Sequence, residues 1–200
     1  MGVIKTALEI ALEKTENVKS DKTSIEQFEA RQKGKKLANA FLGEDISLTD
    51  EIKNTQKESK NGSIEEGLKQ GIFDVLITQI SLPTAKEDEI RLEKLGKGLE
   101  VIIKNSKLQA IYKQMLQVFS QYLQEASHYE QVIRQQYAPK LRQKEEELSR
   151  RLGREVRIDP FQDPEFTAFY NQHMNSLRSN YEPIVEQVKE EIREMFDSAE

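Results

Sequence analysis

Residues 106–152 read SKLQAIYKQMLQVFSQYLQEASHYEQVIRQQYAPKLRQKEEELSRRL, and this stretch decides the fold. It contains no glycine and a single proline, Pro139. Its apolar residues recur three and four positions apart, as they do on one face of an α-helix: Leu108, Ile111, Met115, Val118, Tyr122, Ala126, Tyr129, Ile133, Tyr137 and Leu141. The pattern predicts one long helix, of about 70 Å at the usual rise per residue.

A second long helix is predicted to follow it. Asp163 suits an N-cap and Pro164 suits the first helical position, and the apolar stripe that begins at Phe166 continues to Met195 at nearly heptad spacing. Two long helices joined by residues 153–163 predict an antiparallel hairpin, a coiled-coil-like stalk with arms at about 106–152 and 164–198. A reversal in the middle of the connection would place Ile133 near Pro183–Ile184.

The fold class predicted for the whole chain is all-α, with a small helical base and this long antiparallel hairpin. Residues 63–200 are assigned to the base and the hairpin, with base helices at 64–82 and 85–104. Residues 1–62 are expected to form an N-terminal helical, partly flexible arm, with one helix at 2–19, a polar break at Asn17–Thr23 and a second helix from Ser24 to Gly43. Gly67-x-x-x-Gly71 would allow a close contact between helices.

Composition excludes several classes of protein. The 200 residues include no cysteine, which rules out disulfides and thiolate metal sites and fits a reducing compartment. No apolar run reaches the roughly 18 residues that a transmembrane helix needs. The expected location is cytoplasmic, with no membrane partner. A net charge of −5 argues against bulk binding of nucleic acid.

The chain offers no complete motif for metal or acid–base chemistry. Glu125 and His128 form one Glu-x-x-His half-motif of the kind found in di-metal carboxylate proteins, but a complete site needs a second copy and two further glutamates. The other histidine, His173, has Tyr170 three residues before it and is interpreted as a packed residue of the inner stripe. We therefore expect no metal, no cofactor and no catalytic residues, and no enzymatic activity.

The sharpest surface feature is a group of arginines at the predicted hairpin tip: Arg150, Arg151, Arg154 and Arg157. Residues 140–157 carry seven basic and four acidic side chains. Arginines at an exposed end suit recognition of phosphate or carboxylate groups. The alternative is a solvated end whose arginines pair locally with Glu145, Glu146, Glu147 and Glu155.

The function predicted from the sequence is a non-enzymatic helical interaction or scaffold protein. Its partner would be another protein or a second copy of itself, bound as a homo-oligomer. The alternative is a nucleic-acid-associated helical protein that binds through the four arginines of the tip. A third class, a metal-dependent enzyme, would require a bound metal ion.

Overall fold

The computed structural model describes residues 7–44, 46–58 and 62–198, with side chains from Ser24 onward except Glu58. Over these residues the fold is all-α, as predicted, and no strand is present. A 3-10 turn at Pro160–Gln162 precedes the last helix. The α-helices are α1 (Ala7–Gly43), α2 (Leu48–Glu58), α3 (Gly62–Thr78), α4 (Asp88–Ile102), α5 (Ser106–Leu152) and α6 (Pro164–Asp197).

The predicted bounds of the long helix are those of α5, which continues through Pro139. The predicted break in the N-terminal segment is wrong, because α1 runs without interruption from Ala7 to Gly43. Residues 17–23 are polar except for Val18 and include neither glycine nor proline, and polarity alone does not end a helix. The predicted start of the first helix, at residues 2–6, lies outside the described residues.

Contacts divide the chain into two compact units. Of the described residues, the first contains those up to Ile80, Arg91–Leu108 and those from Arg193 onward, and the second contains Ser81–Ile90 and Gln109–Ile192. In the first unit, Phe73 of α3 stacks on Phe196 at the end of α6, with ring centroids 4.1 Å apart.

The first unit is built on a close contact between α1 and α3. A Cβ atom placed on Gly71 or Gly34 would collide with the backbone of the opposite helix, and one on Gly67 would lie 2.6 Å from the Gln27 carbonyl oxygen. The two helices therefore approach through their glycines, as the Gly67-x-x-x-Gly71 spacing suggested. Asp74 of α3 adds an ion pair at 2.7 Å with Arg31 of α1.

In the second unit, α5 packs on α6. Tyr122 meets Tyr181 edge to face at 5.2 Å, and Tyr137 meets Phe166 in the same manner at 5.2 Å. Ile133 belongs to the same buried cluster as Tyr137 and Phe166. The expected position of Ile133 near Pro183–Ile184 is therefore wrong by several helical turns, for a reason found in the connection between the helices.

Candidate interaction site

Asp163 organises the end of the second unit where α6 begins. Its side chain is only 4% exposed and accepts hydrogen bonds from Lys144 Nζ at 2.7 and 2.9 Å and from the Tyr137 hydroxyl at 3.0 Å. It also accepts from the backbone N–H of Glu165 at 3.0 Å, which makes it the predicted N-cap of α6. One buried carboxylate thus holds the start of α6 against the middle of α5.

Glu165 extends this cluster towards solvent. Its carboxylate lies 2.7 Å from Lys144 Nζ and 2.9 Å from Lys140 Nζ. Hydrogen bonds from these two lysines lower the pKa of Glu165 to about 2. The hydrogen bond from Lys144 also lowers the pKa of Asp163 below 3.8, whereas burial raises the pKa of Tyr137. We call Tyr137, Lys140, Lys144, Asp163 and Glu165 the clasp.

The clasp explains why the predicted register is wrong. Residues 153–163 do not form a compact turn between the helix ends, but run back along α5. The Val156 N–H donates to Ser149 Oγ at 2.9 Å, and the Ile158 N–H donates to Glu145 at 2.9 Å. As a result, α6 begins beside Tyr137 and Lys144, and α5 continues beyond that level to Leu152.

This last part of α5 and the residues after it carry the four predicted arginines. All four are exposed. Arg150 lies 3.9 Å from Glu146 and Arg157 lies 3.3 Å from Glu155, in pairs whose side chains are 70–86% exposed. Arg151 and Arg154 form no ion pair with any described residue. Solvent-exposed pairs of this kind are weak, so the local glutamates neutralise the arginines only in part.

Leu152 stands among these arginines with 57% of its surface exposed, and Gly153 follows it with φ 64°. Glycine adopts this left-handed conformation at a helix end without steric cost. The turn at Gly153 sends the chain back along α5. We call Arg150, Arg151, Leu152, Arg154 and Arg157 the arginine tip.

An aromatic cluster lies beneath the clasp rather than at the tip itself. Phe161 meets Phe166 and Tyr170 edge to face at 5.3 and 5.2 Å, and Arg134 lies over the Phe161 ring at 5.0 Å. The ring of His173 packs against Phe169 at 4.5 Å, which agrees with its interpretation as a packed residue. Phe166, Phe169 and Tyr170 pack with α5 in the buried cluster, whereas Phe161 is 45% exposed.

The two members of the Glu125–His128 half-motif lie in different surroundings. His128 is exposed, and Glu125 takes part in a hydrogen bond with Tyr181. Burial of Tyr181 raises its pKa to about 12, and the hydrogen bond with Glu125 makes a smaller contribution to this rise. Among the residues that the structure describes, no group of three or more metal-ligating side chains comes together. Within the same residues, no helix has the length and apolar character needed to cross a bilayer.

The arginines were predicted from the sequence as a surface feature, whereas the clasp was not predicted. Lys140 and Lys144 lie on successive turns of α5, and Asp163 was recognised only as a helix cap. Nothing in the spacing of these residues reveals that residues 153–163 return along α5. The available signal was Tyr137, since a tyrosine on a buried stripe requires a partner for its hydroxyl group.

Residues 49–194 match the model of a protein family described as a family of unknown function, DUF6657. The chain belongs to this family. The matched range begins in α2 and includes the clasp, the arginine tip and nearly all of α6, while α1 lies before it. No curated protein and no solved structure matches the chain.

Proposed function

We propose that this DUF6657 member is a non-enzymatic interaction or scaffold protein that binds another protein, or a second copy of itself, through the arginine tip. The proposal rests on one observation. Four exposed arginines flank the exposed Leu152 in the sequence, on a segment that the ion pair between Lys144 and the buried Asp163 ties back to α5. Rigid display lowers the entropy lost on binding, and arginine can bind carboxylates in a bidentate manner.

The finer architecture forms part of this proposal. We infer that α5 and α6 form a long antiparallel hairpin with coiled-coil-like packing. The contacts Tyr122–Tyr181 and Tyr137–Phe166 support this, since the α6 partner number falls as the α5 number rises. A cytoplasmic location is also proposed, because a chain without cysteine suits a reducing compartment.

Site-specific crosslinking tests the proposal. A photoreactive amino acid is placed at position 152 of the full chain in cells, and in a parallel experiment at exposed Lys113 as a control. We expect one dominant crosslinked species from position 152, and its loss when the four arginines are changed to glutamine. Equal products from both positions, or products that do not depend on the arginines, would contradict the proposal.

The same arginines support a second candidate function, binding of nucleic acid. Guanidinium groups suit phosphate, and Arg151 and Arg154 form no ion pair with a carboxylate among the described residues. Fluorescence anisotropy with duplex and single-stranded probes at two salt concentrations tests it. Binding that weakens with salt and requires the arginines would favour this function over protein binding.

A further inference from the structure

A long groove follows α6 in the second unit, on a surface distinct from the arginine tip. It consists of two adjoining depressions of about 320 and 450 Å³, which share Thr84 and Arg178. Along α6 the lining extends from Tyr170 to Lys189, which is about 28 Å at the helical rise per residue. This length would hold about eight residues of an extended polypeptide.

Two asparagines one helical turn apart line the first depression. Asn171 and Asn175 are both exposed, and Tyr122 and Met174 lie beside them in the same depression. Residues four apart in a helix rise by about 6 Å, and an extended chain repeats every two residues at about 6.6 Å. Each asparagine amide offers both a donor and an acceptor, the complement of a peptide C=O and N–H.

Charged residues continue the pattern in the second depression. Arg178 and Glu182 are again four apart, are exposed, and form no ion pair with a described residue. Lys189 and Glu186, farther along, are paired with each other at 2.8 Å. With Glu130 in the first depression, the groove carries more acidic than basic groups, which disfavours nucleic acid as its occupant.

We propose that this groove binds an extended polypeptide segment of a partner protein. The two asparagines bind the peptide backbone at alternate residues. Beyond them, the segment carries an acidic side chain opposite Arg178 and a basic side chain two residues away opposite Glu182. This inference goes beyond the proposed function, because it concerns a separate surface and does not require the arginine tip.

Selection from a random decapeptide library displayed on phage tests the proposal. The full chain is the target, and enriched peptides are synthesised and measured by fluorescence anisotropy. We expect enriched peptides to carry an acidic and a basic residue two positions apart. Changing Asn171 and Asn175 together to alanine should weaken binding about tenfold, the effect of losing one to two net hydrogen bonds. Alanine is the better helix former, so this variant keeps the fold, which circular dichroism verifies.

Two further variants sharpen the test. Asn180→Ala changes another exposed asparagine of α6 that lines neither depression, and it should leave the affinity unchanged. The double exchange Arg178→Glu with Glu182→Arg should favour peptides whose two charges are in the reverse order. The proposal is overturned if no peptide is enriched, if the asparagine variant binds as tightly as the wild type, or if a single-stranded nucleic acid displaces the peptide.

Discussion

Changing Asp163 to alanine would remove the buried carboxylate at which Tyr137, Lys144 and the N-terminus of α6 meet. The carboxylate is the N-cap of α6, the acceptor for the Tyr137 hydroxyl and the buried partner of Lys144. We expect this substitution to destabilise the second unit more than any other single change in residues 153–163.

The magnitude follows from the contacts. Loss of the cap costs about 1 kcal/mol. The Tyr137 hydroxyl loses its 3.0 Å acceptor but keeps Glu165 at 3.3 Å. The free-energy cost of this lost hydrogen bond is therefore at the low end of the range for a buried polar group, about 1 kcal/mol. Lys144 also keeps Glu165 as a partner, which avoids the full cost of an unpaired charge. We expect the free energy of unfolding of the second unit to fall by about 2–3 kcal/mol.

Urea unfolding followed by circular dichroism, together with hydrogen exchange in residues 133–145 and 163–170, measures this effect for the unit concerned. Asp163→Asn keeps an N-cap side chain and should cost about 1 kcal/mol. Asp159→Ala removes an exposed carboxylate that caps the 3-10 turn through a 3.0 Å hydrogen bond from the Phe161 N–H, and should cost about 1 kcal/mol or less. A loss for Asp163→Ala no larger than that for Asp159→Ala would refute the reasoning.

Four further predictions concern the helix contact, the pH dependence at its acid and alkaline ends, and the tip. Gly71→Ala should lower the free energy of unfolding of the first unit by about 1–2 kcal/mol in urea titrations, because the added Cβ meets the Arg31 backbone; the control Gly43→Ala, with open space around it, should not. The pKa of Glu165 is lowered from 4.5 to about 2, so its contribution to stability is complete above pH 4.5 and disappears as the pH falls through 2. In a plot of the urea midpoint against pH, Glu165→Gln should therefore reduce the fall of the midpoint at acid pH. The pKa of Tyr181 is raised from 10.0 to about 12, so its contribution to stability is complete below pH 10 and disappears as the pH rises through 12. Tyr181→Phe should therefore reduce the fall of the urea midpoint at alkaline pH. Changing the four arginines of the tip to glutamine should alter the urea midpoint little, since their ion pairs are exposed, and a large shift would contradict a role in binding alone.

Much of the fold could be predicted because helices are encoded locally. The periodicity of residues 106–152 and the Asp163-Pro164 start are properties of neighbouring residues, and both agree with the structure. The break predicted at residues 17–23 was wrong because a polar segment was interpreted as the end of a helix. Helix formation continues through polar residues when no glycine or proline interrupts it.

The pairing of α5 with α6 could not be derived in the same way. It depends on the path of residues 153–163, which is set by contacts with Ser149, Glu145 and Lys144. These are side-chain contacts between residues distant in sequence or on different elements, and the apolar stripes of both helices are compatible with several alignments. The groove beside α6 was missed for a related reason, since only the folded unit brings Thr84 next to Arg178. Its local signal was the pair of asparagines four residues apart.

The glycine contact between α1 and α3 has a consequence for relatives of this chain. Gly67 and Gly71 lie inside the range that the family shares, whereas the helix that covers them lies before it. Without a neighbour at its backbone, each glycine would only weaken α3, by about 1 kcal/mol. The space that a side chain would occupy at these two positions is filled by the backbone of α1. In any relative that keeps glycine at both positions, a helix equivalent to α1 is expected, whatever sequence encodes it.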